Sequence, residues 1–252
     1  MQPKLTLVGA GPGNGELITL KGIRALRKAD VVLYDDLANA SLLDFAPGGI
    51  LTLYVGKRAG KPSFRQEEIN TLVVRLAQEL GHVVRLKGGD PYVFGRGYEE
   101  YEYALQHGID CEVVPGVSSC IAVPASQGIP VTSRGVSQSF WVITGTTHTG
   151  DLSDDLRLAV QSKATVVVLM GLRKIDQICA LYVEAGRGHL PMAVIQNGTR
   201  PDEQQVIGQV WNMPQRVAEQ GVGAPAVLVI GEVVALHPSY LAECLRGVGA
   251  AV

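Results

Sequence analysis

Two stretches of the chain combine glycines with charged residues at spacings that suit a bound small molecule. The first, "LTLVGAGPGNGELITLKG" (5–22), leads from an apolar strand through glycines at alternate positions into helical sequence. Asp35 and Asp36 follow the next apolar segment, where an NAD enzyme keeps its ribose-binding carboxylate. However, Asn14 occupies the third small-residue place of G-x-G-x-x-G, and Pro12 removes a backbone donor. The pattern therefore disfavours a dinucleotide-binding loop. Two interpretations remain, a purely structural turn and a turn that holds a small ligand.

The second stretch, "VVRLKGGDPYVFGRGYEE" (83–100), ends a strand with a sharp glycine turn. Gly88 and Gly89 allow close backbone approach, and the Asp90 carboxylate can accept hydrogen bonds from hydroxyl or amino groups. Ligands of open α/β sheets bind at the carboxyl ends of the strands, which is where this turn is expected. The stretch therefore predicts a ligand site at that edge of a sheet.

Charged side chains are close together in sequence at two further places. Arg96 and Glu99 are three residues apart at the start of a helix, so their side chains share a face. This pair is either a surface ion pair or part of a ligand site. The segment "VGKRAGKPSFR" (55–65) is basic and contains no acid, which by itself is typical of a solvated loop; its cations are Lys57, Arg58, Lys61 and Arg65.

Alternating β-rich and helical segments in the first half indicate the elements that position these residues. The predicted strands are Leu5–Val8, Val31–Tyr34, Ile50–Val55, His82–Leu86 and Cys111–Val114. The predicted helices are Leu20–Lys28, Gln66–Leu80 and Tyr98–His107. Such βαβ alternation predicts a parallel sheet with helices on its faces.

A break at "VVPGVSS" (113–119) separates this half from a second group of elements, with a new helix beginning near Ser118. Strands are predicted at 140–144, 165–169, 193–196, 205–207 and 226–230, and helices at 172–185 and 210–219. The segment 205–208 can form a hairpin with the preceding strand, so this sheet is expected to be mixed. The sequence predicts two α/β domains, 1–115 and 116–252, with the active site in a cleft between them.

Composition excludes several classes of protein. The 252 residues are 46% hydrophobic and 18% charged, which is ordinary for a globular chain. A net charge of −2 provides no general attraction to nucleic acid or anionic membrane, so neither is an expected partner. No secretory signal is visible, and the apolar stretch 164–172 is too short to span a bilayer. Scattered histidines and four cysteines without CxxC spacing indicate reduced thiols, no metal site and a cytoplasmic location; the cysteines are Cys111, Cys120, Cys179 and Cys244.

Seven segments, in order over residues 4–236, resemble uroporphyrinogen-III C-methyltransferases, a subgroup of the tetrapyrrole methylases. They are "VGAGPGNGELITLKG", "ADVVLYDDL", "VGKRAG", "VVRLKGGDPYVFGRGYEE", "VPGVSSCIAVPASQGIPVTSRGVSQS", "VVLMGL" and "IQNGTRPDEQ". The resemblance implies the tetrapyrrole methylase fold of two α/β domains. It also implies that the first glycine loop forms the floor of an S-adenosylmethionine (SAM) site.

The activity implied by the resemblance is two successive methyl transfers from SAM to C2 and C7 of uroporphyrinogen III. The products are precorrin-2, formed through precorrin-1, and S-adenosylhomocysteine. Precorrin-2 would feed sirohaem, cobalamin or haem d1 synthesis. The resemblance further implies a homodimer and a reaction without metal.

Site residues follow from the same resemblance. SAM binding is implied for Pro12, Gly88, Gly89, Asp90, Val93, Ser118, Ser119, Met170, Gly198 and Ala226. Glu99 is expected to stabilise positive charge on the ring, Arg96 and Arg134 to orient the tetrapyrrole, and Asp35 and Lys57 to act as acid or base. The substrate carboxylates are assigned to Lys57, Arg58, Lys61, Arg65, Arg96 and Arg134.

The sequence departs from the family pattern at few positions. Asn14 replaces a usual Asp, Tyr98 replaces a usual Gly, and Ser118-Ser119 replaces a common Thr-Ala pair. None of these changes removes a required charge, although Tyr98 is expected to narrow the site. The chain also lacks the N-terminal dehydrogenase/chelatase module of some relatives, so a single activity is expected.

Three alternative functions remain open at this level. The first is a sister methyltransferase acting on a later precorrin in cobalamin synthesis, which the "VGKRAG" and "GDPYVFGRG" segments disfavour. The second is a non-catalytic tetrapyrrole-binding protein, which would bind porphyrinogen without SAM. The third is an NAD oxidoreductase, which would show a cofactor-dependent absorbance change.

Overall fold

The computed structural model describes residues 2–56, 64–240 and 242. The chain forms two compact units, which divide between Ser118 and Ser119. The predicted boundary after residue 115 lies within the loop 115–118 that precedes this point. Each unit contains one five-stranded sheet.

The first unit is built on a parallel sheet, as the alternation of strands and helices predicted. Its strands lie in the order β3-β2-β4-β1-β5, and every pair is parallel. The predicted strands are confirmed to within one residue at each end. The elements are β1 (Lys4–Gly9), α1 (Leu20–Leu26), β2 (Val31–Tyr34), β3 (Leu51–Tyr54), α2 (Gln66–Leu80), β4 (His82–Lys87), α3 (Gly97–Gln106) and β5 (Asp110–Val114).

The second unit contains the expected mixed sheet, in the order β6-β7-β10-β8-β9. Only β6 and β7 pair in parallel, and β8 and β9 form the predicted antiparallel hairpin. The elements are α4 (Ser119–Ser126), β6 (Phe140–Thr144), α5 (Asp155–Ala159), β7 (Thr165–Leu169), α6 (Ile175–Glu184), β8 (Pro191–Gln196), β9 (Gln204–Gln209), α7 (Met213–Gln220) and β10 (Ala226–Ile230). Helix α5 was not predicted, because five residues are too few to establish a helical period.

Two further predicted helices of this unit begin differently from expectation. Short 3-10 turns at Leu172–Lys174 and Val210–Asn212 precede α6 and α7, where the periodicity predicted continuous helices. Short 3-10 segments of this kind are frequent at helix starts. None of the described helices is long and apolar enough to cross a membrane.

Helices cover both faces of the first sheet, and this explains its apolar strands. Leu7 packs with residues of α2, whereas the adjacent Val8 packs with residues of α1. Neighbouring side chains of β4 alternate in the same way, with Val83 on the α2 side and Val84 on the other. A parallel strand buried on both faces is expected to be apolar throughout, so charged side chains in β4 require a separate explanation.

Candidate functional site

The carboxyl ends of β1, β4 and β5 meet through glycine backbones. Gly11 and Gly89 exchange two backbone hydrogen bonds, with N–O distances of 3.2 and 2.7 Å. A Cβ atom on Gly9 would lie 2.5 Å from the Cα and N atoms of Gly116. The sequence predicted that glycines here allow a ligand to approach the backbone. At Gly9, however, the close neighbour is the protein's own backbone, so this glycine is required for packing.

The Asp90 carboxylate connects two of the loops at this edge. Its Oδ1 accepts a hydrogen bond from the Tyr92 N–H at 2.8 Å, and its Oδ2 accepts one from the Gly116 N–H at 2.9 Å. Asp90 was predicted to bind a ligand directly, and the structure adds that both oxygens already hold backbone groups. The side chain therefore shapes the edge of the sheet as well as carrying charge there.

Most of the predicted cofactor residues of the first unit lie around this edge. Pro12 follows the bridged Gly11, and the Val93 N–H bonds the Asp90 carbonyl at 3.3 Å. Ser118 is buried two residues after the Gly116 that Asp90 holds. The other members, which share the loop after β4, are Gly88 and Gly89.

Asp90→Ala is expected to weaken SAM affinity by about 1–3 kcal/mol, because it removes a charged acceptor and releases two backbone donors. Isothermal titration calorimetry with SAM measures this loss. Asp90→Asn retains the shape and one acceptor oxygen, so its loss should be smaller. SAM affinity equal to that of the unchanged chain in a folded Asp90→Ala variant would remove Asp90 from the cofactor site.

Arg96 and Glu99 form the ion pair that their spacing predicted. The guanidinium donates from Nε and Nη2 to the two carboxylate oxygens at 2.8 and 2.7 Å, a bidentate arrangement. This hydrogen bond raises the pKa of Arg96 and lowers the pKa of Glu99. Both side chains remain about half exposed, at 55% and 49%. The charges are therefore paired with each other and still accessible to a ligand.

The loop that presents this pair is tightly constrained. Gly97 donates its N–H to the Pro91 carbonyl at 3.0 Å, and a Cβ on Gly95 would lie 2.7 Å from the same oxygen. Phe94 and Arg96 adopt left-handed conformations, with φ of 52° and 56°. Left-handed backbone in residues other than glycine is strained, and such strain concentrates at functional sites.

A cluster of buried charges, which was not predicted from the sequence, lies beneath the turn. Glu100 of α3 is fully buried; its Oε1 lies 2.6 Å from the Lys87 Nζ, and its Oε2 lies 3.3 Å from the Arg85 Nε. The second contact is an attraction between charges without hydrogen-bond alignment. Gln66 of α2 also donates to Glu100, at 3.0 Å. Burial and the positive charge of the neighbouring Arg85 lower the pKa of Lys87. The negative charge of Glu100 raises this pKa and offsets part of the decrease.

A signal for this cluster was present in "VVRLKGG". Arg85 and Lys87 are two residues apart in a strand that is otherwise apolar, so both side chains lie on the α2 side of the sheet with Val83. Two cations on a buried face require an acid from the covering helices. The sequence alone did not show which acid of α3 supplies it.

Asp35 lies at the same edge, next to this cluster. Its Oδ1 accepts backbone hydrogen bonds from Leu37, Ala38 and Gly88 at 3.2 to 3.3 Å. Its Oδ2 lies 3.4 Å from the Arg85 Nη2. The carboxylate predicted as an acid or base is thus held at the end of β4 and remains partly exposed.

The predicted substrate cations are only partly described. Lys57, Arg58 and Lys61 lie outside the described residues. Arg65 directly precedes α2, and its backbone N–H donates to Glu68 at 2.6 Å. Arg134 is exposed in the second unit, within a turn closed by backbone hydrogen bonds between Ser133 and Ser137.

Two of the four predicted cofactor residues of the second unit, Met170 and Ala226, lie at one edge of its sheet. Strand register pairs Ala226 with Gln196 and Val227 with Leu169, so the start of β10 lies beside the ends of β7 and β8. Met170 follows β7 in a left-handed conformation (φ 56°) and is 53% exposed. Core methionines are buried, so this exposure favours a role outside the core. The remaining two behave differently: Ser119 begins α4, and Gly198 packs against Val123 of that helix.

Among residues 2–56, 64–240 and 242, no group of three or more His, Cys, Asp or Glu side chains is arranged to hold a metal ion. Cys111 and Cys179 are free thiols, and burial raises the pKa of Cys111 to about 11 and that of Cys179 to about 12. These two thiols are therefore poor candidates for a nucleophile.

Residues 4–213 match the family model of the tetrapyrrole (corrin/porphyrin) methylases. A uroporphyrinogen-III C-methyltransferase of Methanocaldococcus jannaschii is 43% identical over 236 residues, which is 93% of this chain and 98% of that protein. A siroheme synthase of Azotobacter vinelandii is 44% identical over 92% of this chain, which spans 50% of that longer protein.

The comparison with solved structures indicates the same family as the sequence relatives. The uroporphyrin-III C-methyl transferase of Thermus thermophilus, complexed with S-adenyl homocysteine, superimposes with a TM-score of 0.78 at 40% identity. The match covers 92% of this chain and 99% of that one. Both the sequence and the structure comparisons thus lead to one family.

Proposed function

Because the chain belongs to the tetrapyrrole methylase family, we propose that it transfers the methyl group of SAM to uroporphyrinogen III. The finer part of the proposal is two successive transfers, to C2 and C7, that give precorrin-2 through precorrin-1. The observation that carries it is the edge of the first sheet, where an exposed Arg96–Glu99 pair follows the glycine turn fastened by Asp90.

Positioning is the main task of the protein in such a reaction. SAM, when bound, supplies a methyl group already activated by its sulfonium charge, and a pyrrole carbon is already electron-rich. Holding the two reactants together in the right orientation then provides much of the acceleration. The loops after β1, β4 and β5 suit this task, because their glycines pack closely against neighbouring backbone and side-chain atoms.

SAM is assigned to the two edges described above. In the first unit the candidates are Pro12, Gly88, Gly89, Asp90, Val93 and Ser118; in the second they are Ser119, Met170, Gly198 and Ala226. The fit rests on the glycine turn of Gly88 and Gly89 at the end of β4, the exposed Met170 beside the start of β10, and the two serines at the start of α4. Hydroxyl and N–H groups at a helix start suit a carboxylate such as that of SAM.

Charge and proton movements define the roles of the acidic residues. Methylation leaves positive charge on the tetrapyrrole, and a proton must then leave. We assign charge stabilisation to Glu99, which Arg96 keeps ionised by a bidentate hydrogen bond. Asp35, fixed by backbone donors at the same edge, is the candidate for the proton, together with Lys57.

The acidic side arms of uroporphyrinogen III require cations. Arg96 and Arg134 are exposed and suit carboxylates, because a guanidinium binds them with two parallel hydrogen bonds. The basic segment adds further candidates to these two: Lys57, Arg58, Lys61 and Arg65. The net charge of −2 means that attraction must come from such local groups.

Incubation with uroporphyrinogen III and methyl-labelled SAM tests the proposal. Mass spectrometry should show a product that carries two additional methyl groups, with a singly methylated intermediate at early times. Methylation of a later precorrin instead would indicate the sister activity, and tetrapyrrole binding without SAM binding would indicate a non-catalytic carrier. A dependence on NAD would contradict the family assignment of the glycine loop.

The protein is expected to be a homodimer in the cytoplasm. Multi-angle light scattering at micromolar concentration should give about twice the mass of one chain, because symmetric dimers are the commonest oligomers. Addition of SAM should leave this mass unchanged. A monomer under these conditions would contradict the prediction.

A further inference from the structure

Two tyrosines lie close in sequence to the Arg96–Glu99 pair, Tyr92 before Arg96 and Tyr98 between Arg96 and Glu99, and their rings contact each other. The ring centroids of Tyr92 and Tyr98 are 6.2 Å apart, with an angle of 72° between the planes, an edge-to-face arrangement. Tyr92 is 48% exposed and Tyr98 is 59% exposed. Partial burial and nearby phenols raise the pKa of Tyr92, so its hydroxyl stays protonated at neutral pH.

Backbone hydrogen bonds hold the segment that carries these two rings. Tyr92 donates its backbone N–H to Asp90, and the N–H of Gly97, directly before Tyr98, bonds the Pro91 carbonyl. The backbone at both tyrosines is therefore held within the segment that also carries Arg96. A tyrosine side chain on such a backbone has few bonds left to order, so its exposed ring loses little entropy when it binds a ligand.

We propose that Tyr92 and Tyr98 form an aromatic wall of the tetrapyrrole site, which packs against one pyrrole ring while Arg96 binds a carboxylate of that ring. This inference rests on the proposed function, since it assigns the wall to uroporphyrinogen III. Pyrroles are flat and electron-rich, so ring edges and phenolic O–H groups are suitable neighbours for them. The adjacent arginine matches the acidic arms that each ring carries.

The charged residues beside the two tyrosines favour the tetrapyrrole substrate as the ligand of the aromatic wall. Within seven residues, Tyr92 to Tyr98, the loop exposes aromatic rings and a guanidinium that is already orientated by Glu99. A purely apolar partner would leave that ion pair buried and poorly solvated. A ligand with both aromatic rings and carboxylates satisfies both kinds of group.

Variants at the two tyrosines test the wall. Tyr98→Ala should raise the KM for uroporphyrinogen III about three- to tenfold, the range expected for loss of one aromatic contact, with little change in kcat. Tyr92→Ala should behave similarly, and the double variant should show less than the product of the two effects, because the rings act together. Tyr98→Phe retains the ring and should stay within about twofold of the unchanged chain.

Matched controls come from the same helix. Leu105→Ala removes another exposed side chain of α3, and Tyr103→Phe removes another hydroxyl; both should leave the KM unchanged. Binding of uroporphyrin III, the stable oxidised form, is followed by its fluorescence and gives a dissociation constant independent of turnover. SAM affinity, measured by calorimetry, should be the same in all variants.

The outcomes separate this inference from the proposed function. A uroporphyrin III dissociation constant unchanged by Tyr98→Ala and Tyr92→Ala would overturn the wall, even in an active enzyme. Loss of SAM affinity would place the tyrosines on the cofactor side, and loss of dimer mass would place them in a subunit interface; either result also overturns it. If the unchanged chain methylates nothing, the proposed function fails, whereas binding that weakens in both variants still supports the wall.

Discussion

Replacing Glu100 with alanine is expected to lower the free energy of unfolding by about 3–5 kcal/mol, the usual result of breaking a buried ion pair. Glu100 is fully buried and is the acid closest to the Lys87 ammonium, at 2.6 Å. Its removal leaves that ammonium and the Arg85 guanidinium in a low-dielectric interior, where uncompensated charge is unfavourable. Asp35 lies 3.4 Å from Arg85 and offsets only part of this charge.

Urea denaturation followed by circular dichroism measures the change. Glu99→Ala is the matched control, because the adjacent Glu99 is exposed and its surface ion pair should contribute less than about 1 kcal/mol. A second variant that combines Glu100→Leu with Lys87→Met removes opposite charges together and should recover part of the loss. Equal stability of the Glu100→Ala and Glu99→Ala proteins would show that the buried cluster does not contribute as described.

Glu99→Gln is expected to slow methyl transfer about a hundredfold, the effect typical of losing one electrostatic contact to a developing charge. Glutamine keeps the shape of the side chain and removes the charge that would stabilise a cationic ring. SAM affinity should stay within a few-fold of the unchanged chain, because neither Glu99 nor Arg96 is among the residues assigned to SAM. Single-turnover methylation, together with SAM calorimetry, measures both quantities.

Arg96→Lys tests the other member of the Arg96–Glu99 ion pair. Lysine keeps the positive charge but loses the bidentate hydrogen bonds to Glu99, so methylation should also fall. Loss of SAM binding as complete as the loss of methylation would place this helix face in the cofactor site. Normal methylation in both variants would leave the pair as a surface ion pair without a catalytic role.

The sequence by itself determined the strands of both sheets and most of the helices, although it missed α5. The strands of the first unit were predicted to within one residue, because buried parallel strands are short apolar segments bounded by turns. The Arg96–Glu99 pair was also predictable, since residues three apart at a helix start must share a face. The mixed second sheet followed from a hairpin of neighbouring strands.

Contacts between residues distant in sequence were decided only by the tertiary structure. The burial of Glu100 against Lys87 depends on how α3 packs on β4, which local periodicity does not encode. Likewise, Gly9 could be identified as part of a turn, but its close neighbour Gly116 is known only once β1 and β5 lie side by side. Local spacing determines which face a side chain lies on, whereas its partner depends on the arrangement of whole elements.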